Sequence, residues 1–286
     1  MTLELPAIAG LYKSIGLTTH QHCGSDAASL SYPKGKLMRI ASRALAALLL
    51  AGTACLPAQA QPAAEPTAAD LVARNLAARG GSAALAALKS VSLDGKLVFP
   101  GGFELTYNEV RSGGAVRVDA ALQGLALVQA YDGKGGGWRI NPFEGRKDAE
   151  PMSDDEARSF ADTAPIAGVL LSASSDGSSI SYLGREDFDG TNCYKLKVAQ
   201  KDGDEFVYLI DPDSMLEVKI TETRKLRGAV QVSETELGDY EAVGGVMFPM
   251  SIESGPQGSS QRQRVIIAKA SANPPAPASL FAQPGK

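Results

Sequence analysis

The hydrophobic period of this chain changes from helical to two near Val91, and that change sets the expected fold. Upstream, Ala68, Val72 and Leu76 share one helical face; Thr67 is the N-cap with Asp70 three residues on, and Gly80-Gly81 is the stop. Ser82 caps a second short helix carrying Leu85 and Leu88. Downstream, Phe103, Leu105 and Tyr107 alternate with Glu104, Thr106 and Asn108, and Leu216, Val218 and Ile220 alternate with Glu217, Lys219 and Thr221. Turn pairs such as Asp94-Gly95, Asp132-Gly133, Asp189-Gly190 and Asp202-Gly203 separate these runs. The spacing predicts successive antiparallel hairpins of about ten or eleven strands, a mainly β (α+β) fold.

One helical insertion interrupts the hairpins. Ser153 to Glu156 is a capping box that opens a helix running to Ala164, where Pro165 ends it. The apolar patch Ile166 to Leu171 follows, then a Ser/Gly-rich stretch that reads as loop up to Ser179. Near the C-terminus, Leu280-Phe281 is an apolar pair expected to tuck against the sheet's edge or end. A sheet of this many strands twists and curls. If it does not close completely, its apolar concave face needs a cover, and burial at roughly 25 cal/mol per Å² draws helices over it. Beneath such a lid, a filled core and an apolar cavity are both open outcomes.

The segment before the first helix has a different character. Met38 to Arg43 is a short basic start, Ala44 to Ala54 is apolar, and Pro57-Ala58-Gln59-Ala60 places small residues at the two positions a signal peptidase reads. Residues 38–60 therefore read as an export signal, with residues 1–37 an over-called extension and 61–66 a Pro/Ala-rich linker. Residues 67–286 form one domain. The apolar run is about half the roughly 20 residues that a spanning helix needs. The compartment expected is the periplasm; the alternative is a membrane-anchored lipoprotein acylated at Cys55, although Gly52 fits poorly three residues before that cysteine.

Cleavage after Ala60 would remove much reactive chemistry. His20 and His22 are the two histidines of the chain, and both lie upstream, as do Cys23 and Cys55. The remainder has no imidazole base and no His-containing zinc site, and Cys193 alone cannot form an internal disulfide. Of the chain's 28 basic and 32 acidic residues, five and two are removed, which leaves 23 against 30 and a net charge near −7. Nucleic acid is thus not an expected partner.

Several segments, in order, resemble the LolA-type periplasmic lipoprotein carriers and the wider group of outer-membrane lipoprotein-sorting proteins. They are Tyr131-Asp132-Gly133-Lys134 with Trp138 and Asn141-Pro142-Phe143, then Tyr182 to Glu186, Asp189 to Leu196, Leu209 to Pro212, Gly238 to Tyr240, Gly244 to Pro249, and Leu280-Phe281. The resemblance covers roughly residues 65–286. It implies an incomplete antiparallel β-barrel with a helical lid and a hydrophobic interior for lipid or the acyl chains of lipoproteins. It also implies membrane-bound donor and acceptor proteins as partners, no cofactor, no metal and no enzymatic activity. The wall candidates by alternation are Phe99, Phe103, Leu105, Tyr107, Val118, Leu127, Trp138 and Ile140, with Leu170 and Leu171 from the lid. A one-residue slip in any strand would swap its faces. In such carriers an early-strand arginine locks the lid; Arg111 matches by order, although Ser112 stands where they have proline, and Arg117 competes.

Other signals point to little chemistry. Gly133 to Gly137 lacks the spacing of a phosphate loop and reads as a hairpin turn. The acidic groups at 154–156 and 202–205 lack calcium-loop spacing. Cys193 reads as a small buried hydrophobe. Two functions outside transport are compatible with the same fold: a sensor module binding lipid or lipoprotein, and a hydrolase.

Overall fold

The computed structural model describes residues 65–285. The expected signal at 38–60, the extension before it, Cys55 and most of the linker lie outside the described residues. Two helices, α1 (Ala68–Ala78) and α2 (Gly81–Ala87), precede six strands: β1 (Ser90–Val98), β2 (Glu104–Ser112), β3 (Ala115–Leu122), β4 (Leu125–Tyr131), β5 (Gly137–Asn141) and β6 (Arg146–Pro151). Helices α3 (Asp154–Ala161) and α4 (Gly168–Asp176) follow. The remaining strands are β7 (Ser179–Phe188), β8 (Thr191–Ala199), β9 (Glu205–Ile210), β10 (Glu217–Leu226), β11 (Ala229–Val243), β12 (Val246–Pro256) and β13 (Gln263–Ala272).

All thirteen strands belong to one antiparallel sheet, in the order β6-β5-β4-β3-β2-β1-β13-β12-β11-β10-β9-β8-β7. Two meanders, β1 to β6 and β7 to β13, are joined where β1 pairs with β13. Edge strands β6 and β7 do not pair with each other, so the barrel is incomplete. The connection between these two edges is the helical insertion α3–α4, and the lid therefore lies at the open seam.

The strand count exceeds the ten or eleven expected. Strand β6 (RKDAEP) is a polar edge with no apolar alternation, which conceals it from a periodicity reading. Both capping boxes form as the sequence dictates, Thr67 with Asp70 and Ser153 with Glu156. The Ser-rich stretch read as loop is instead helix α4, which ends at the left-handed Gly177. Its Val169, Leu170 and Ala173 are buried against Leu71 of α1 and against Leu196, Phe206 and Ile210 of β8 and β9. Tertiary burial overrides weak helix propensity there.

One glycine at the join is required by contact. Gly95 sits at a register shift between β1 and β13, and a Cβ there would lie 2.0 Å from the Ile266 carbonyl oxygen.

Candidate functional site

The concave face leaves a cavity of about 390 Å³ between the sheet and the lid. Its apolar lining runs across strands in register. Leu237 of β11 pairs with Ile252 of β12, Ile252 with Val265 of β13, and Val265 with Leu97 of β1. All four line the cavity, with Phe160, Ile166 and Leu170 above them. A second, more polar chamber of about 250 Å³ shares Phe160, Thr163, Arg224 and Gln263 with the first.

The wall candidates separate into three groups. Tyr107, Val118, Leu127 and Leu170 line the cavity. Phe99, Phe103 and Leu105 do not line it; they pack beside it in a cluster with Leu97, Ala120 and Leu127, whose other sides face the cavity. Leu171 is half-buried beside Leu170 and is not part of the lining. Trp138 and Ile140 face the other way. Cross-strand pairing sets Trp138 against Ala130 and Ile140 against Val128, while Gln129 and Arg139 take the cavity face. The face assignment for β5 is thus corrected by one residue, the expected consequence of a side-chain period of two. Trp138 instead packs on the convex face, where its Nε1–H donates to the Phe281 carbonyl at 2.8 Å. Leu280-Phe281 is the cover of that outer patch, with Phe281 buried and the Leu280 carbonyl accepting from Arg117 at 3.1 Å.

Neither candidate arginine holds the lid. Arg117 forms a two-bond fork with Asp119 on the outer face, both bonds at 2.8 Å. Arg111 does line the cavity, but its Nε donates to Glu109, which also accepts from the Tyr107 hydroxyl. Burial, reinforced by Glu109, pushes the Tyr107 phenol well above its ordinary pKa, so it stays a donor. For Arg111 burial works against the charge, and Glu109 outweighs it and raises the pKa. A similar trio stands elsewhere on the wall. Arg79, the C-cap of α1, donates to Glu217 at 3.1 Å, and the Tyr240 hydroxyl donates to the Glu217 carbonyl at 2.8 Å.

The lid is fastened by residues that the sequence reading did not single out. Arg224 of β10 donates to Asp162 just beyond α3 at 2.6 Å, to Glu222 at 3.1 Å and to Asp204 at 3.2 Å. Glu156 in the first turn of α3 accepts from Arg139 of β5 at 2.9 Å and from Arg227 beyond β10. Helix α3 is therefore tied to both walls. Burial alone would raise the Glu156 carboxyl, yet hydrogen bonds from Ser153 and Arg139 hold it down at about 2. The one available signal was Glu156 itself, visible as a capping residue but not as an ion-pair partner.

Reactive groups are few. Cys193 is a free, fully buried thiol whose pKa burial raises, with Asp211 and Asp187 adding to the shift. Among the described residues no group of three His, Cys, Asp or Glu side chains could hold a metal ion, and no helix is long and apolar enough to cross a membrane.

Comparison with solved structures places this architecture. The chain is similar to a LolA superfamily protein from Nitrosomonas europaea, with a TM-score of 0.51 and 12% identity over 76% of this chain and 98% of the other. The fold is LolA-like. A domain from Vibrio parahaemolyticus named for outer-membrane lipoprotein sorting is also similar, with a TM-score of 0.50 and 10% identity over 74% and 94% of the two chains. No family model matches the sequence, and no curated protein matches it. At these identities the likeness to the LolA-like structures is one of fold.

Proposed function

We propose that this protein is a periplasmic carrier that binds lipid, or the acyl chains of lipoproteins, for sorting to the outer membrane, without catalysing a reaction. The observation that carries the reading is the apolar cavity of about 390 Å³ beneath a helical lid. Carriage of acyl chains needs a concave, mostly apolar and largely preformed space of this scale. The volume lies within the roughly 300–1,000 Å³ of small-molecule pockets, the scale of one acyl chain. Each buried methylene contributes about 0.8 kcal/mol, so desolvation alone suffices for binding.

Export to the periplasm is supported by the pattern at 38–60. Discharge requires that α3 release Arg139 and Arg224, which makes the lid the element on which membrane-bound donor and acceptor proteins act. Native mass spectrometry of protein purified from the periplasm, followed by lipid extraction, tests the reading. Co-purified lipid or acylated protein is the expected result. Protein that is empty as isolated and takes up no acyl chain when offered one would refute it.

A further inference from the structure

The polarity of the cavity wall changes abruptly between two adjacent cross-strand rows. The row Leu237–Ile252–Val265 is apolar. Two residues along the same strands lies the row Thr235–Ser254–Gln263, in which Thr235 pairs with Ser254 and Ser254 with Gln263. Residues two apart on a strand share a face and stand about 6.6 Å apart. All three polar residues line both the apolar cavity and the polar chamber. The Gln263 Oε1 is buried with no hydrogen-bond partner among the described residues. Gln129 contributes a further amide to this chamber from β4. An unpartnered acceptor beside hydroxyl and amide groups, at the rim of an apolar pocket, is an arrangement that a ligand donor completes.

The charges of the chamber are already spent on one another. Arg139 is bound to Glu156, and Arg224 to Glu222, Asp162 and Asp204. Counted with Arg227, three guanidinium groups face four carboxylates, so no positive excess awaits an anion. A charged head group would lose its hydration without gaining a counterion, which is costly in a partly buried site.

We infer that the site takes a single-chain amphiphile with an uncharged, hydroxyl-bearing head, its tail along Leu237, Ile252 and Val265 and its head against Thr235, Ser254 and Gln263. The chemical class is that of a glycerol monoester. This rests on the lipid-binding reading above and deepens it.

The test is calorimetric titration of the full-length mature chain, freed of co-purified lipid, with three twelve-carbon probes: dodecanoyl glycerol, dodecanoate and dodecyltrimethylammonium. The neutral ester is expected to bind at least about tenfold more tightly than either ion, the worth of two or three hydrogen bonds. The triple variant Thr235→Val, Ser254→Ala, Gln263→Met is expected to abolish that preference while still binding all three. Gln263→Met alone, with the smaller perturbation to the fold, is expected to reduce the preference several-fold. Equal or tighter binding of either ion, or an unchanged preference in both variants, overturns this inference and leaves the lipid-binding reading standing. Absence of binding by all three probes overturns both.

Discussion

Glu156 of α3 accepts a hydrogen bond from Arg139 of β5 at 2.9 Å, and this contact ties the lid helix to the wall beside one open edge of the sheet. The other wall holds the same helix through Arg224 and Asp162 at 2.6 Å. Because a buried charge left without its partner is costly, the two ties differ in weight. Arg224→Ala leaves Glu222 and the buried Asp204 without their guanidinium partner and Asp162 with only its bond from Gln200, and should destabilise the fold by about 3–5 kcal/mol. Arg139→Ala leaves Glu156 its bonds from Ser153 and Arg227, so the lid should loosen without global unfolding. Hydrogen exchange resolved by segment checks both: faster exchange confined to residues 154–164 for Arg139→Ala, and faster exchange throughout for Arg224→Ala.

The pH response of the lid follows from the same carboxylate. In the folded protein the Glu156 pKa is about 2, against an ordinary 4.5. A depressed carboxyl stabilises the folded form at pH values above the ordinary pKa, and that contribution is lost as pH falls through the folded one. The lid contribution of Glu156 should therefore be complete near neutrality and decline from about pH 4.5 towards 2. Exchange of a bound fluorescent monoacyl glycerol, which carries no titrating group of its own, should accelerate in that window when followed against pH. Glu156→Gln should remove this part of the response.

Cavity wall and adjoining cluster should respond differently to substitution. Ile252 lines the cavity, whereas its neighbour Glu253 bonds Arg264 on the opposite face. Ile252→Glu should abolish acyl-chain binding with the fold retained, and Glu253→Ala should leave binding within about twofold of the original, since an exposed pair is worth little. Leu105 belongs to the cluster beside the cavity, so Leu105→Ala should lower stability by about 2–5 kcal/mol with little effect on affinity. Chemical denaturation combined with ligand titration separates the two effects.

The join between the two meanders depends on Gly95. Any side chain there meets the Ile266 carbonyl, because a Cβ would come within 2.0 Å of its oxygen. Gly95→Ala should cost at least about 2 kcal/mol, within the range for substitutions that force backbone movement. A lowered midpoint in a urea unfolding curve is the check.

Trp138 offers an optical control. It is the single tryptophan of the chain, and its ring lies on the convex face under Phe281. Its emission should change little when the cavity fills. Deletion of residues 278–286 should expose the ring and shift the emission to longer wavelength. A large shift on ligand binding would contradict the facing of β5 described above.

Much of the architecture was legible because it is local. The period of two, the Asp-Gly turns at 132, 189 and 202, and the two capping boxes specify hairpins and helix starts; Asp94-Gly95, expected as a turn, lies instead inside β1, where Gly95 marks the register shift against β13. What was hidden is non-local. Strand β6 shows no alternation, because an edge beside solvent does not require one. Helix α4 draws its order from Leu71, Leu196 and Phe206, residues remote in sequence. The facing of Trp138 depended on a single residue of register, which a five-residue strand cannot fix by pattern alone. The clasp of the lid was invisible for a related reason. Arg224 and Asp162 are 62 positions apart, and nothing in either neighbourhood announces the other.

The junction of β1 with β13 has a consequence for how the molecule is assembled. The strand that comes latest in the chain is not added at a border but wedged into the middle, between β1 and β12. Each meander can form its own hairpins early, yet the two halves stay unstitched until this keystone arrives. Polypeptide that is still being synthesised is thereby kept from locking prematurely.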